Sequence, residues 1–518
     1  MFLLNPLLAT DSYKLSHFKM YPEGLSHVES NYTNRKSRVE GINHVVQFGL
    51  QAWLKDLTES YERFFAANKD AVIKEYKENT STFVSPGFTL DHIENLHDLG
   101  YLPVQFSAVP EGTLVPIGVP SILIKSTHDD FAWLVNYLES DLSAGIWHPS
   151  TVATLAWKLR RTFEEAARET GGALEGVDFQ CHDFSYRGQV NREAAMASGA
   201  AHLLSFLGSD GVPAVPWVNY YYPGEDNGPI AFSVPATEHS VMCLGGEEDE
   251  LETFRRLLKQ FPTGILSIVS DTWDFFKVLT EYLPALKDEI LARDGKLVIR
   301  PDSGDPADII CGTTKYALNS AVSQEYKAAV VAKYADSELS RPSTPEEKGA
   351  IEILYDIFGG TENEAGYIEL DSHIGLIYGD GMFEARIRDI NARLKAKGFA
   401  STNWVAGIGS YSYQMVTRDT FGSAVKATFG IVDGKGRNVQ KNPKTDDGTK
   451  KSAKGRLAVL SQANGNLYLV QVATDEQIEN SVLQPVWENG KFLREYSFAE
   501  VRANLKRTTG ILERNGSI

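Results

Sequence analysis

Cysteine is almost missing from this 518-residue chain: Cys181, Cys243 and Cys311 stand far apart, an odd number with no CxxC pair. That excludes a disulfide framework and a thiolate metal centre, and it suits a reducing compartment. Positive charge is also scarce, with 51 basic against 68 acidic residues and a net charge of −17. A nucleic acid or an anionic membrane needs a broad cationic face, so neither partner is expected. Apolar runs stay below the roughly 18 residues that a spanning helix requires. The opening MFLLNPLLATDSYK has no cationic leader and meets Asp11 early, so no signal peptide is expected and a cytoplasmic location is. Two phosphate signatures are missing too: there is no GxxxxGK[ST] loop and no GxGxxG opening a first βαβ unit.

What is present is a repeated grammar. With 42% apolar and 23% charged residues the chain is ordinary globular material, but 518 residues exceed one usual core. Two domains, or a large barrel with additions, are therefore expected. In the middle of the chain a short β-branched or aromatic run meets polar residues and then a helical pattern. VDFQCHDF (177–184), IAFSVPA (230–236), GILSIVS (264–270), KLVI (296–299), IGLIYGDG (374–381) and TNWVAGIGS (about 401–410) all do this. After the first run, Val190, Ala194, Ala197, Ala201 and Leu204 fall on one helical face. About six βα units predict a parallel sheet. Open and closed arrangements both fit, and reactive residues after nearly every strand favour an irregular, TIM-like α/β barrel over residues 146–419. Residues 1–145 and 420–518 lack the grammar. RLAVLSQANGNLYLVQVA (456–473) reads as a hairpin around Asn-Gly-Asn, so both ends are expected to build a second, β-rich domain. SELSRPSTPEEKGA (337–350) reads as a surface insertion. The eight basic residues from Lys435 to Arg456 read as a solvated loop, with an ATP or phosphate lid as the alternative.

The strand-end residues are Asp183, Arg187, Glu238, His239, Asp271, Arg300, Asp302, Asp305 and Asp380, with Gly379, Gly381, Gly407 and Gly409. Singly, each has a plain role: Asp183 and Asp271 suit helix N-caps, Arg187 a surface ion pair, His239 a core histidine. Together they suggest a phosphorylated sugar. Guanidinium forks match phosphate, carboxylates suit sugar hydroxyls or Mg²⁺, and glycine turns offer backbone N–H groups. A glycosidase would use carboxylates here but has less need of convergent arginines.

The ordered series LLATDSYKLSHFKMYP (7–22), HDFSYRG (182–188), AHLLSFLGSDGV (201–212), SVPATEHS (233–240), VSDTWD (269–274), IRPDSGDP (299–306), YGDGM (378–382), TRD (417–419) and KGRL (454–457) spans nearly the whole chain. It resembles the nicotinate/nicotinamide phosphoribosyltransferase family. The resemblance implies an irregular α/β barrel with a β-rich domain from both ends. It also implies a homodimer with active sites at the subunit interface and transfer of phosphoribosyl from phosphoribosyl pyrophosphate to a pyridine.

By the same resemblance, Phe184 stacks on the pyridine and Tyr13 of a second subunit covers its other face. Asp210 accepts the carboxamide NH2, which favours nicotinamide and repels the carboxylate of nicotinate. Arg187 lies near the pyridine and phosphoribosyl groups, Arg300, Asp302, Gly379 and Asp380 hold ribose and phosphate, and Arg35, Arg418 and Lys426 grip phosphates across the dimer. His239 is the histidine that ATP phosphorylates, with Glu238 and Asp271 beside it. Mg²⁺ is expected mainly on the pyrophosphate, with few protein ligands. The family's glycine-rich phosphate turn is replaced by GIGSYSY (407–413), which keeps Gly409 but sets Ser410 and Tyr411 next.

Overall fold

The computed structural model describes residues 4–84, 88–313, 343–445 and 451–518. The chain divides into two compact units: 1–154, 216–228 and 416–518 form one, 155–215 and 229–415 the other. The excursion 216–228 carries no mark in the sequence pattern. Among the described residues no helix is long and apolar enough to cross a membrane.

The first unit is built on an antiparallel sheet that joins the two ends of the chain. Its seven strands lie in the order Lys435–Asn438, Ser423–Val432, Leu25–Asn34, Pro120–Ser126, Val104–Ala108, Gln484–Glu488, Lys491–Phe492. Tyr32, for example, pairs with Val425 on one side and Ile122 on the other. Trp53, Phe106 and Trp487 meet edge to face at 5.5 and 5.8 Å, so residues over 400 positions apart share one core. The hairpin expected around Asn-Gly-Asn is present, with Leu457–Ser461 antiparallel to Leu467–Gln471. The basic stretch from Lys435 begins as an exposed edge strand rather than a loop, where charge discourages further pairing. Its residues 446–450, like 337–342 of the expected insertion, lie outside the described residues.

The second unit is a mixed α/β structure around a five-stranded parallel sheet. The order is Cys181–Asp183, Trp404–Ile408, Ile374–Tyr378, Leu297–Arg300, Leu266–Val269. Ile299 faces Ile268 on one side and Leu376 on the other, and all three are essentially buried. Near-continuous apolar runs are what a sheet covered on both faces requires. Isolated parallel bridges continue the pairing beyond both edges: Asp183 to Ser209, Gly208 to Phe232, and Ala236 to Ser267. The stretch 230–236 is therefore not the strand its composition predicts but two single bridges, and Pro235 has no N–H to extend a ladder. The helix after HDFSYRG also shifts. It runs Arg192–His202 from an Asn191 cap, and it buries Ala195, Ser198, Gly199 and His202 while Val190 stays exposed. His202 is polar, which hid this face from an apolar count.

Candidate active site

Because the five strands are parallel, their C-terminal ends share one edge, and the chemistry-bearing residues follow there. Phe184 leaves the strand Cys181–Asp183 and donates its backbone N–H to the Ile408 carbonyl at 2.9 Å. Its ring lies against two strand-end glycines. A Cβ on Gly407 would sit 2.4 Å from the ring, and one on Gly379 would sit 3.5 Å away. These glycines leave room for an aromatic plate, which explains small residues where a β-rich sequence would otherwise place bulk.

Asp210 follows the bridge residue Ser209. One of its oxygens, Oδ1, accepts from His182 Nε2 at 2.9 Å and from Ser233 Oγ at 2.6 Å. Burial disfavours its charged form, but His182, Ser233 and Arg300 together outweigh that and hold its pKa below the usual carboxylate range. His182 and Ser233 were not singled out by sequence reasoning. The only signal was that His182 shares a strand face with Phe184, two residues on.

Arg300 ends the strand Leu297–Arg300 and donates from Nη2 to the Thr237 carbonyl at 2.7 Å. Burial lowers its pKa, while Asp302, Asp210 and Asp271 favour the cation and Arg187 opposes it. Its Nε is buried with no hydrogen-bond partner among the described residues. Asp271 caps no helix. Its Oδ2 accepts from the backbone N–H of Asp302 at 2.9 Å, that of Ser303 at 2.8 Å and the Ser303 hydroxyl at 2.6 Å, so it shapes the Pro-Asp-Ser-Gly turn. Asp183 likewise caps no helix and accepts from Ser185 N–H at 2.8 Å. Asp305 is a cap: it receives Ala307 and Asp308 N–H at 3.0 and 3.2 Å. Asp380 joins the acidic group, since Asp271, Asp302, Asp380 and Asp305 all act with burial to raise the Tyr378 hydroxyl.

His239 is exposed and held at both ring nitrogens, Nδ1 by Thr272 Oγ1 at 3.2 Å and Nε2 by Asp302 Oδ1 at 3.3 Å. The Glu238 carboxylate accepts from the Ser240 hydroxyl, and among the described residues no hydrogen bond links it to His239. One donor atom each of His239, Asp271 and Asp302 lie within 4.8 Å of one another, and Asp271 Oδ1 is buried with no hydrogen-bond partner among the described residues. Two hard carboxylate oxygens fit Mg²⁺ better than they fit a soft metal. Gly409 opens the short helix Ser410–Gln414, and Ser410 packs on Gly188, beside Arg187. Further along that helix, the Tyr413 hydroxyl meets His202 Nδ1 at 2.7 Å, and His202 Nε2 donates to the Gly208 carbonyl at 3.0 Å.

The remaining residues singled out in the sequence lie in the other unit. Tyr13 is exposed, Arg35 Nε donates to the Gly422 carbonyl at 3.1 Å, and Arg418 lies 3.5 Å from Asp419. Burial lowers the Lys426 pKa against the opposing pull of Glu139, with Arg35 and Lys14 adding to the lowering. Lys14, beside Tyr13, thus belongs to this cationic group; it is bonded to Glu139 at 2.7 Å and was missed in the sequence.

Residues 179–491 match the model of the nicotinate phosphoribosyltransferase (NAPRTase) family, and residues 5–106 match that of the nicotinamide phosphoribosyltransferase N-terminal domain. The nicotinamide phosphoribosyltransferase of Acinetobacter baylyi is 44% identical over 519 residues, covering 97% of each chain. That of Xanthomonas campestris pv. campestris is 33% identical over 513 residues, covering 97% of this chain and 98% of the relative. Among solved structures, nicotinate-nucleotide pyrophosphorylase from Pyrococcus furiosus superposes with a TM-score of 0.54 at 15% identity, covering 98% of this chain and 96% of that one. Human nicotinic acid phosphoribosyltransferase does so with a TM-score of 0.52 at 16% identity, covering 97% and 94%. At such identities the likeness is one of fold.

Proposed function

We propose, for a chain that belongs to the nicotinate/nicotinamide phosphoribosyltransferase family, that it transfers phosphoribosyl from phosphoribosyl pyrophosphate to nicotinamide, giving nicotinamide mononucleotide and pyrophosphate. It is a pentosyltransferase by that membership. The observation that carries the substrate reading is the convergence on Arg300, whose guanidinium feels Asp302, Asp210, Asp271 and Arg187 together. Two cations and three carboxylates, gathered from several strand ends, suit a sugar with a charged group at one end and an amide at the other.

The chemistry accounts for the residue types. The attacking pyridine nitrogen has no proton to lose, so no strong base is needed. Positive charge develops at ribose C1 and negative charge on the leaving pyrophosphate. Asp302 and Asp380 stabilise the first, and Arg187 and Arg300 bind phosphate. Phe184, seated on Gly379 and Gly407, stacks the ring in position for attack. Asp271 and Asp302 would hold Mg²⁺, with His239 beside them, and the ion would neutralise charge on the leaving group. Glu238, which contacts Ser240, is left no direct part in this scheme.

Four further readings go with this one. ATP phosphorylates His239, whose exposure and paired nitrogens support an accessible, oriented acceptor. A homodimer brings Tyr13, Arg35, Arg418 and Lys426 of one subunit to the site of the other; the exposed Tyr13 ring and the convergent cations support it. The parallel sheet closes as an irregular barrel, which the bridges through Ser209, Phe232 and Ala236 support. A cytoplasmic location follows from the cysteine usage.

The test is incubation with phosphoribosyl pyrophosphate and Mg²⁺, with either nicotinamide or nicotinate, with and without ATP. Nicotinamide mononucleotide is the expected product; turnover of nicotinate alone would reverse the substrate, and turnover of neither would leave a binding protein on this fold. In His239→Ala the ratio of rates with and without ATP should fall to about one, and an unchanged ratio would remove the phosphohistidine.

A further inference from the structure

Asp210 has two oxygens, and the structure treats them unequally. Oδ1 is used twice, by His182 Nε2 at 2.9 Å and Ser233 Oγ at 2.6 Å. Among the described residues no hydrogen bond reaches Oδ2. A carboxylate can only accept, so His182 must carry its proton on Nε2. The ring cannot swing away freely. Its strand residue pairs with Gly407, and its Nδ1 edge rests on Gly208, where an added Cβ would sit 2.6 Å away. Gly208 is in turn fixed through its carbonyl by the buried His202, which also holds Tyr413. The His182 ring lies 5.2 Å from that of Phe184, so the group that fixes the carboxylate and the plate that stacks the pyridine share one strand face.

We propose that His182, assisted by Ser233, is a positioning residue for substrate choice. By occupying Asp210 Oδ1 it turns Oδ2 toward the carboxamide N–H, and it keeps the carboxylate ionised, which rejects a second carboxylate. This rests on the reading of Asp210 as the amide acceptor. A freely rotating aspartate would pay rotamer entropy to find that pose, and a protonated one could donate to nicotinate and lose the discrimination.

The experiment compares kcat and KM for nicotinamide and nicotinate in His182→Leu, His182→Gln, Ser233→Ala and Asp210→Asn. Gln can set an amide N–H near the place of Nε2, whereas Leu cannot. Hydrogen bonds to charged groups are worth roughly tenfold or more in equilibrium terms. His182→Leu is therefore expected to raise the nicotinamide KM about tenfold, with kcat within about threefold, and to cut the preference for nicotinamide about tenfold. His182→Gln should restore most of the preference, and Ser233→Ala should weaken it about threefold. If Asp210→Asn abolishes the preference while Ser233→Ala and both His182 variants keep it, the proposal is overturned and the Asp210 reading stands. If Asp210→Asn also keeps it, the Asp210 reading itself has failed. Equal losses for both substrates in His182→Leu, unrescued by Gln, would make His182 merely structural. Should His182→Leu not fold, unchanged selectivity in both Ser233→Ala and His182→Gln, beside a collapsed Asp210→Asn, would overturn the proposal, whereas a graded loss in Ser233→Ala would uphold it.

Discussion

Glu111 and Asp271 are carboxylates from the two units, and they are used in opposite ways. Glu111 is fully enclosed and satisfied: it accepts from Gly49 N–H at 3.1 Å, Gln51 N–H at 2.6 Å and the Tyr222 hydroxyl at 2.7 Å, over both oxygens. Asp271 uses one oxygen on the Asp302–Ser303 turn, and its other oxygen is buried with no partner among the described residues. A satisfied buried carboxylate ties segments together, whereas an orphaned one keeps an unmet electrostatic demand that a ligand can fill.

That contrast is breakable. Asp271→Asn retains a carbonyl oxygen for the three donors but removes the charge, so transfer should fall by about two to three orders of magnitude with melting nearly unchanged. Glu111→Gln should do the reverse, lowering stability by about 1–3 kcal/mol while leaving kcat/KM within a few-fold. Steady-state rates and denaturant titrations on both variants check the pair. If Glu111→Gln cost as much activity as Asp271→Asn, the division of labour would be wrong.

The glycine plate gives a smaller effect. Gly407→Ala puts a methyl 2.4 Å from the Phe184 ring, which must move. The nicotinamide KM should rise about 10- to 100-fold because the stacking surface is misplaced. Gly176 is the control, since a Cβ there meets nothing within 4 Å. Equal kinetic losses in Gly407→Ala and Gly176→Ala would remove the plate from the argument for stacking.

Much of the second unit could be read from the chain because its signal is local. A run such as IGLIYGDG states both the buried strand and the polar tip in eight letters, and parallel pairing then gathers the tips without further information. Partnerships between distant polar residues were not legible. His182 and Asp210 are 28 positions apart, and nothing in either segment says that the imidazole meets the carboxylate. Nor could the sequence separate Asp305, a helix cap, from Asp302, which meets His239. Both follow the same strand and differ only in which way the turn points them. Nor does the sequence say that Glu238, next to His239 in the chain, has the Ser240 hydroxyl as its hydrogen-bond partner. The pairing of the two chain ends was legible only in outline, because antiparallel partners 395 residues apart, such as Asn31 and Lys426, leave no shared motif.

The smallest effect concerns acid, and it sharpens the same contrast. In the first unit His92 stacks on Phe18 at 3.4 Å and meets Trp133 edge-on at 5.1 Å, and among the described residues neither ring nitrogen has a hydrogen-bond partner. Burial, aided by Lys19, lowers its pKa from 6.5 to about 3; burial lowers that of His44 to about 4. Above about pH 6.5 these rings are neutral in folded and unfolded chains alike, so they contribute no pH dependence. As pH falls from 6.5 toward 3, the unfolded chain takes protons that the folded chain refuses, and stability is lost. Allowing for partial solvent access, the loss from His92 should be on the order of 2 kcal/mol by pH 4. His92→Phe keeps an aromatic in the stack and cannot titrate. Any packing cost it carries is independent of pH, so the slope of stability between pH 6.5 and 4 isolates the proton effect. The slope should flatten in His92→Phe, as measured by denaturant midpoints across that range. An identical slope in His92→Phe and the parent would show that this buried ring takes its proton without unfolding.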